Sequence, residues 1–360
     1  MNDATTPDVN HSVDPATPDR IVQFREKNLQ QYRTLKDHLP LSTPYALNID
    51  PTNLCNFRCV FCPTGDDSLL KQVGRPKGKM PLELFKKIID DASEFPEKIK
   101  RVFLYKDGEP FLHPDLHHMI AYTKEKAITE DVRVYSNAAA ITEKKATAAL
   151  EAGLDSIVIS IEHVHAAGYK EITETFSDYE KVVRNVAFLY EEKQRRNSKL
   201  YMYVKILDTN LSDDEKRKFY ADFTDICDDI NIETLSGWAN TYDRDFLMGQ
   251  DPDVGIRSNT PRKKDRVVCP HPFYRMVVNF DGQVSMCCPD WAMKGIVGDV
   301  NKEHLVDIWN GEAMRQVRLT HLTGQRNTIS ICNGCQAIMS CPTQSDLDDA
   351  AGDLLAKFAG

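Results

Sequence analysis

The chain has 360 residues, 45 Lys and Arg against 54 Asp and Glu, a net charge of −9 and 41% hydrophobic residues. At about 150 residues per domain this length suggests roughly two domains with real cores, and it excludes a collagenous or fully disordered chain. No run approaches the ~18 apolar residues of a membrane-spanning helix, and the N-terminal stretch lacks the basic and apolar regions of a secretory signal. The acidic balance is a poor match to a protein that wraps a phosphate backbone, so neither a membrane nor a nucleic-acid partner is expected.

In chain order, residues 1–19 are rich in Pro, Asp and Thr and predict disorder, with a polar helix over 20–37. From Pro44 onward the pattern alternates. Strands are predicted at Tyr45–Ile49, Arg101–Tyr105, Val132–Tyr135, Ser156–Ile161, Leu200–Leu207 and Ile230–Leu235. Helices are predicted near 82–94, 115–126, 142–152, 178–196 and 212–226, with Thr142 as an N-cap. Five repeats of strand and helix predict a parallel sheet packed against helices, either doubly wound or curved into a partial barrel. Residues 236–268 read as a polar linker or active-site loop. Arg275–Phe280, Asp281-Gly282 and Gln283–Met286 then predict a hairpin, and 303–320 a helix. The expected divisions are an N-terminal segment 1–40, a core 41–240, a linker 241–260, a second domain 261–345 and a tail 346–360.

The ten cysteines fall in tight clusters. With no export signal, metal binding in a reducing cytoplasm is expected over disulfides. Directly after the first strand stands Cys55-Asn-Phe-Arg-Cys59-Val-Phe-Cys62. Three thiolates on one compact loop suit an iron–sulfur cube with one iron left open for a chelating ligand. Zinc prefers paired C-x2-C knuckles totalling four ligands, and no second pair lies nearby.

This motif, with Phe61 before its third cysteine, resembles the radical S-adenosylmethionine (SAM) superfamily. The resemblance implies a partial (β/α)6 barrel with a [4Fe-4S] cluster on Cys55, Cys59 and Cys62. It extends over about 45–235. Lys106-Asp107-Gly108-Glu109-Pro110 resembles the family's "GGE" motif, so Gly108 and Glu109 are implied to meet the SAM amino group, with Asp107 replacing the first glycine. Ser136 and Asn137 resemble the ribose-contacting pair. Ser160 and Glu162 resemble the fourth-strand signature, and Lys205 is implied to meet the SAM carboxylate.

A second cluster comprises Cys269, Cys287, Cys332 and Cys335. The first two bracket the predicted hairpin, and four thiolates would suit a structural zinc equally well. The segment, however, resembles the SPASM/twitch extension of the same superfamily, which implies an auxiliary [4Fe-4S] cluster on these four. Ser345 stands where a longer SPASM series has a cysteine, and the spacing is similar to single-cluster members of the 2-deoxy-scyllo-inosamine dehydrogenase type. Cys341 fits the next family position. Cys227 reads as a buried small hydrophobe.

The implied chemistry is hydrogen abstraction by a 5′-deoxyadenosyl radical, with a flavodoxin- or ferredoxin-type electron donor. Oxidation of a secondary alcohol on a sugar or aminocyclitol is the expected reaction. Epimerisation of a similar substrate, with Cys288 as hydrogen donor, is the alternative. A peptide-modifying activity ranks lower because residues 1–44 are too short for a recognition domain. An iron–sulfur regulator or scaffold explains the cysteines but not the other motifs. His163, beside Glu162 at a strand end, is the candidate base. His165, Trp238, Tyr242 and Arg244 are further candidates near the site.

Overall fold

The computed structural model describes residues 34–175, 178–239, 244–250, 263 and 265–359. Strands β1 (Ala46–Ile49), β2 (Arg101–Leu104), β3 (Val132–Ser136), β4 (Ser156–Ile161), β5 (Tyr201–Leu207) and β6 (Asp229–Glu233) run parallel, and their spatial order is their chain order. Helices α1 (Asp67–Val73) and α2 (Leu82–Ala92) precede β2, and α3 (Leu116–Lys126) precedes β3. The next crossovers are α4 (Glu143–Glu151), the pair α5 (Ala166–Thr173) and α6 (Tyr179–Arg195), and α7 (Asp213–Phe223). A doubly wound sheet reverses its strand order midway; this one does not. The winding is that of a partial barrel with its helices outside.

Side-chain alternation sets the two faces of this sheet. Leu47, Ile49, Val102, Leu104, Val134, Ile157, Ile159, Val204 and Ile206 are fully buried against α2, α3 and their neighbours. Each contributes roughly 1.5–3 kcal/mol by leaving water. The opposite, inward face carries Asn48, Phe103, Tyr135, Ser160, Tyr203, Lys205, Asn231 and Glu233. A polar chamber therefore lies inside an apolar shell.

Local signals account for the helix starts. The Thr142 hydroxyl accepts from Lys145 N at 3.3 Å, and Ser212 with Glu215 forms a reciprocal capping box at α7. The short helices α1 and α5 went unread because their turns hold few periodic apolar residues.

Beyond the barrel come α8 (His271–Tyr274), β7 (Arg275–Val278), β8 (Gln283–Ser285) and β9 (Ile296–Asp299). They are followed by α9 (Leu305–Asn310), α10 (Glu312–Leu322) and α11 (Ala351–Ala359). β7 pairs in parallel with β1, and β8 and β9 add antiparallel strands, so one nine-stranded sheet runs β6-β5-β4-β3-β2-β1-β7-β8-β9. The expected hairpin forms, but its turn is looser than a two-residue Asp-Gly turn. Asn279 N donates to Gln283 O at 2.8 Å, and Gly282 has φ +90° whereas Asp281 does not have a positive φ. The expected helix over 303–320 is two helices broken at Gly311, which caps both. Residues 20–33 of the expected N-terminal helix, Tyr242 and most of the linker lie outside the described residues. Among those described, no helix is long and apolar enough to cross a membrane.

Candidate active site and metal centres

The turn after β1 carries Cys55, Cys59 and Cys62 at the C-terminal end of the strand. Backbone bonds fix it: Arg58 N donates to Thr173 O and Val60 N to Ile172 O, each at 2.9 Å, docking the loop on the end of α5. Burial pushes the Cys55 thiol up to about 12, with lesser contributions from Glu109 and Cys62. Burial also holds Cys59 well above its ordinary value, helped by Glu162 and by the other two sulfurs, and raises Cys62. Three sulfurs that oppose one another's ionisation on one partly exposed loop are a donor set that a soft cation resolves. The residues fit an iron–sulfur cluster.

Gly108 is placed by close approach. A Cβ there would lie 2.2 Å from Thr52 O and 2.6 Å from Leu54 O, and the next amide, Glu109 N, donates to Leu54 O at 2.9 Å. Asp107, in the place of a glycine, has no positive φ. Its buried carboxylate pairs with Arg75 Nη2 at 2.7 Å and with Lys106 Nζ, so charge pairing accommodates the side chain.

Glu109 accepts from Phe111 N (2.9 Å), Ser136 Oγ (2.9 Å) and Asn137 N (2.8 Å). Burial raises its carboxyl to about 7 against the pull of these bonds. Asn137 Nδ2 in turn donates to Asn56 Oδ1 at 3.0 Å and lies 3.9 Å from Cys55 Sγ. Here Glu109, Ser136 and Asn137 spend their side chains tying the ends of β2 and β3 to the cysteine loop, an internal use that the motif reading omits.

Ser160 lies opposite Lys205 in register. Lys205 Nζ pairs with Glu233 Oε2 at 2.8 Å. The expectation that this lysine awaits a ligand carboxylate must therefore include a carboxylate from its own chain. Glu162 is raised to about 7 by burial, partly offset by Lys205, and hydrogen-bonds Cys59. Phe61 is half-buried, and its carbonyl accepts from Trp238 Nε1 at 3.0 Å, so Trp238 straps the linker to the cysteine loop. Arg244 pairs with Asp66 at the N-cap of α1.

His163 does not face the chamber. His163 lies two residues past the end of β4 and packs on the start of α5, where a Cβ on Gly168 would meet its ring at 2.1 Å and Glu215 Oε1 lies 3.5 Å from Nε2. This corrects the expectation of a base at that position. His165 Nδ1 accepts from Gly168 N at 3.0 Å as the N-cap of α5. Its neutral ring then carries the proton on Nε2 and donates to Glu215 Oε1 at 3.0 Å. Helix capping accounts for His165 and Glu215; His163 makes no cap bond and packs beside them with its Nδ1 unpartnered.

Cys269, Cys287, Cys332 and Cys335 line one cavity together with His271, His321 and Arg326. Burial raises Cys332 to about 12 and Cys335 to about 11, and holds Cys287 well above the ordinary value. Four converging sulfurs fit an auxiliary cluster by the same argument. Cys341 sits behind them, hydrogen-bonded to Cys269 and 3.5 Å from His271 Nε2. Cys227 is fully buried in the main core.

Between cavity and chamber lies a group that motif reading saw only in part. Arg275, at the start of β7, donates to Asn48 Oδ1 at 3.1 Å and to Cys288 Sγ at 3.6 Å, and its guanidinium lies 5.2 Å from the centre of the Phe103 ring. Tyr105 and Tyr135 stack beside it at 4.1 Å. His271 Nδ1 lies 4.0 Å from Cys288 Sγ. Burial raises the Cys288 thiol, but Arg275 and His271 outweigh it and bring it down to about 6. Arg275 and His271 carried no motif signal; only the register of β7 against β1 turns Arg275 toward the chamber.

Comparison with known proteins agrees with this arrangement. A model of the radical SAM superfamily matches residues 49–218, and one of the SPASM iron–sulfur cluster-binding domain matches 269–336. The chain is 22% identical over 303 residues to an S-adenosyl-L-methionine-dependent 2-deoxy-scyllo-inosamine dehydrogenase of Niallia circulans, covering 84% of this chain and 96% of that protein. Over a shorter stretch, 41% of this chain and 40% of the relative, it is 29% identical to a GTP 3′,8-cyclase of Limosilactobacillus fermentum. The structure of BtrN in complex with AdoMet and 2-DOIA superposes with a TM-score of 0.53 at 19% identity, covering 83% of this chain and 97% of that one. That of anSMEcpe with bound AdoMet gives 0.56 at 13% identity, covering 87% and 96%. Cysteine loop, strand-end motifs and second sulfur cavity thus converge with these matches: the chain carries a radical SAM domain over 49–218 and a C-terminal SPASM domain over 269–336, and is an enzyme that uses S-adenosylmethionine and [4Fe-4S] clusters.

Proposed function

We propose that the chain oxidises a secondary alcohol of a sugar or aminocyclitol to a ketone. The observation that carries this reading is the adjacency of the second sulfur cavity to the chamber, joined through the neighbouring residues Cys287 and Cys288. The similarity to an aminocyclitol dehydrogenase over most of both chains supports it.

When bound, the cofactors supply a 5′-deoxyadenosyl radical at Cys55, Cys59 and Cys62 and a one-electron acceptor at Cys269, Cys287, Cys332 and Cys335. The chain supplies the rest. Converting a secondary alcohol to a ketone removes a hydrogen atom from carbon, a proton from oxygen and one electron. Asn48, Tyr105, Tyr135 and Arg275 present hydrogen-bonding groups that orient hydroxyls on the inward face. Cys288 with His271 behind it stands where the hydroxyl proton can be taken up and moved away from the chamber. Trp238, strapping the linker to the cysteine loop, helps exclude water. The reaction is placed in the cytoplasm, with a flavodoxin- or ferredoxin-type protein as electron donor.

Epimerisation is the second reading, suggested by the unbridged Cys288 at the chamber's edge, whose sulfur would have to carry its proton to return a hydrogen atom. Mass spectrometry of product from candidate sugars and aminocyclitols separates the two. Loss of two hydrogens supports oxidation, whereas unchanged mass with deuterium uptake from solvent sinks it. In Cys335→Ala, SAM cleavage should persist while ketone formation stops; unaltered ketone yield would refute the role of the auxiliary cavity. In Cys288→Ala, either product should be lost while 5′-deoxyadenosine release continues; an undiminished ketone yield would refute the role of Cys288.

A further inference from the structure

His321 occupies the last turn of α10, on the face that also buries Met314, Arg318 and Leu322, and it is 1% exposed. At that burial both ring nitrogens require partners. Both find them on auxiliary cysteines that are distant in sequence. The amide of Cys269 donates to Nδ1 at 3.3 Å, and Nε2 lies 3.7 Å from Cys332 Sγ.

A backbone amide can only donate, so Nδ1 must hold a lone pair. The single proton of the neutral ring is then on Nε2, pointing at the Cys332 sulfur. This geometry removes His321 from the possible metal ligands, because the nitrogen nearest the sulfur presents hydrogen. Arg326 reinforces the same corner, donating from Nη1 to Cys332 O at 2.9 Å.

We infer that His321 tunes the auxiliary cluster by an N–H···S hydrogen bond to the ligating sulfur of Cys332. Such a bond withdraws charge from the sulfur, favours the reduced state and raises the reduction potential. That direction suits a centre that receives an electron. The inference rests on the reading of Cys332 as a cluster ligand, and is independent of the substrate.

The test uses the full reconstituted chain with Cys55→Ala, Cys59→Ala and Cys62→Ala, so that only auxiliary-site signals remain, and follows the midpoint by EPR-monitored redox titration. His321→Phe removes the donor and should lower the potential by the equivalent of about a tenfold change in the one-electron equilibrium, about 59 mV. His321→Gln offers a side-chain N–H in its place and should recover most of that shift at equal iron content. An unmoved potential in the Phe variant, or an equal fall in both, would overturn the inference. Should the Phe variant fail to hold iron, pulsed EPR of the His321-containing chain labelled with 15N-histidine decides. A nitrogen coupling that His321→Gln removes supports the bond, and its absence refutes it. Iron content of Cys332→Ala tests the ligand reading separately: retention of the full complement means that the ligand set, not His321, was misread.

Discussion

Gly108→Ala probes the link between the strand-end motif and the first cysteine loop. The added methyl would lie 2.2 Å from Thr52 O and 2.6 Å from Leu54 O, where ordinary contacts begin near 3.4 Å. Both obstacles are backbone, so no rotamer change relieves them. The strand-to-cysteine turn must move by about 1.2 Å to clear Thr52 O. Overpacking of this kind costs about 1–3 kcal/mol, and disruption of the 2.9 Å bond from Glu109 N to Leu54 O adds about 1 kcal/mol. The expected destabilisation is therefore about 2–4 kcal/mol in denaturant unfolding of the cluster-free protein. Displacement of Cys55 should also cut reconstituted iron from about 8 toward about 4 per chain, since only the auxiliary site remains intact. 5′-Deoxyadenosine formation should fall with it. A variant with wild-type unfolding and full iron would refute the claim that Gly108 holds the cysteine turn.

Glu109, buried and raised from 4.5 to about 7, favours the protonated folded state. Its contribution, roughly 3 kcal/mol at most, is present below pH 4.5 and is lost as pH rises through 7. Glu109→Gln should flatten that part of the slope in cluster-free protein while leaving Asn137 N opposite an amide; an unchanged pH dependence of stability counts against the assignment. Lys205→Met removes the cation beside the buried carboxylate of Glu233, which keeps a hydrogen bond from Tyr203 Oη at 2.7 Å. Breaking a buried pair costs about 3–5 kcal/mol, which the partial exposure of Lys205 reduces to roughly 2–3 kcal/mol, and adding Glu233→Gln should restore most of it. If the double variant is as unstable as the single one, the pairing is not what holds β5 to β6 at that level.

The strands and their order of winding were legible because each β/α unit carries its own periodic pattern, and Ser156–Ile161 was read to the residue. The grouping of seven cysteines into a first loop and a second cavity was legible because thiol spacing survives without knowledge of packing. His163 was not, because chain position at a strand end says nothing about which side of the sheet the side chain takes. Lys205 was read without its partner since Glu233 lies on another strand, and only parallel register brings the two together. Arg275, His271 and His321 were invisible for the same reason: each acts through residues distant along the chain. The break at Gly311 was missed because the apolar period resumes on the far side of it.

The parallel seam between β1 and β7 carries a last consequence. β1 leads straight into the first cysteine turn, while β7 rises from the segment that begins at Cys269. The spacing between the two cysteine groups is therefore set in part by the ladder of main-chain bonds that pairs β1 with β7. Trimming the chain before residue 268 would not release an autonomous barrel. It would lay bare the hydrogen-bonding edge of β1 and invite strand-to-strand aggregation.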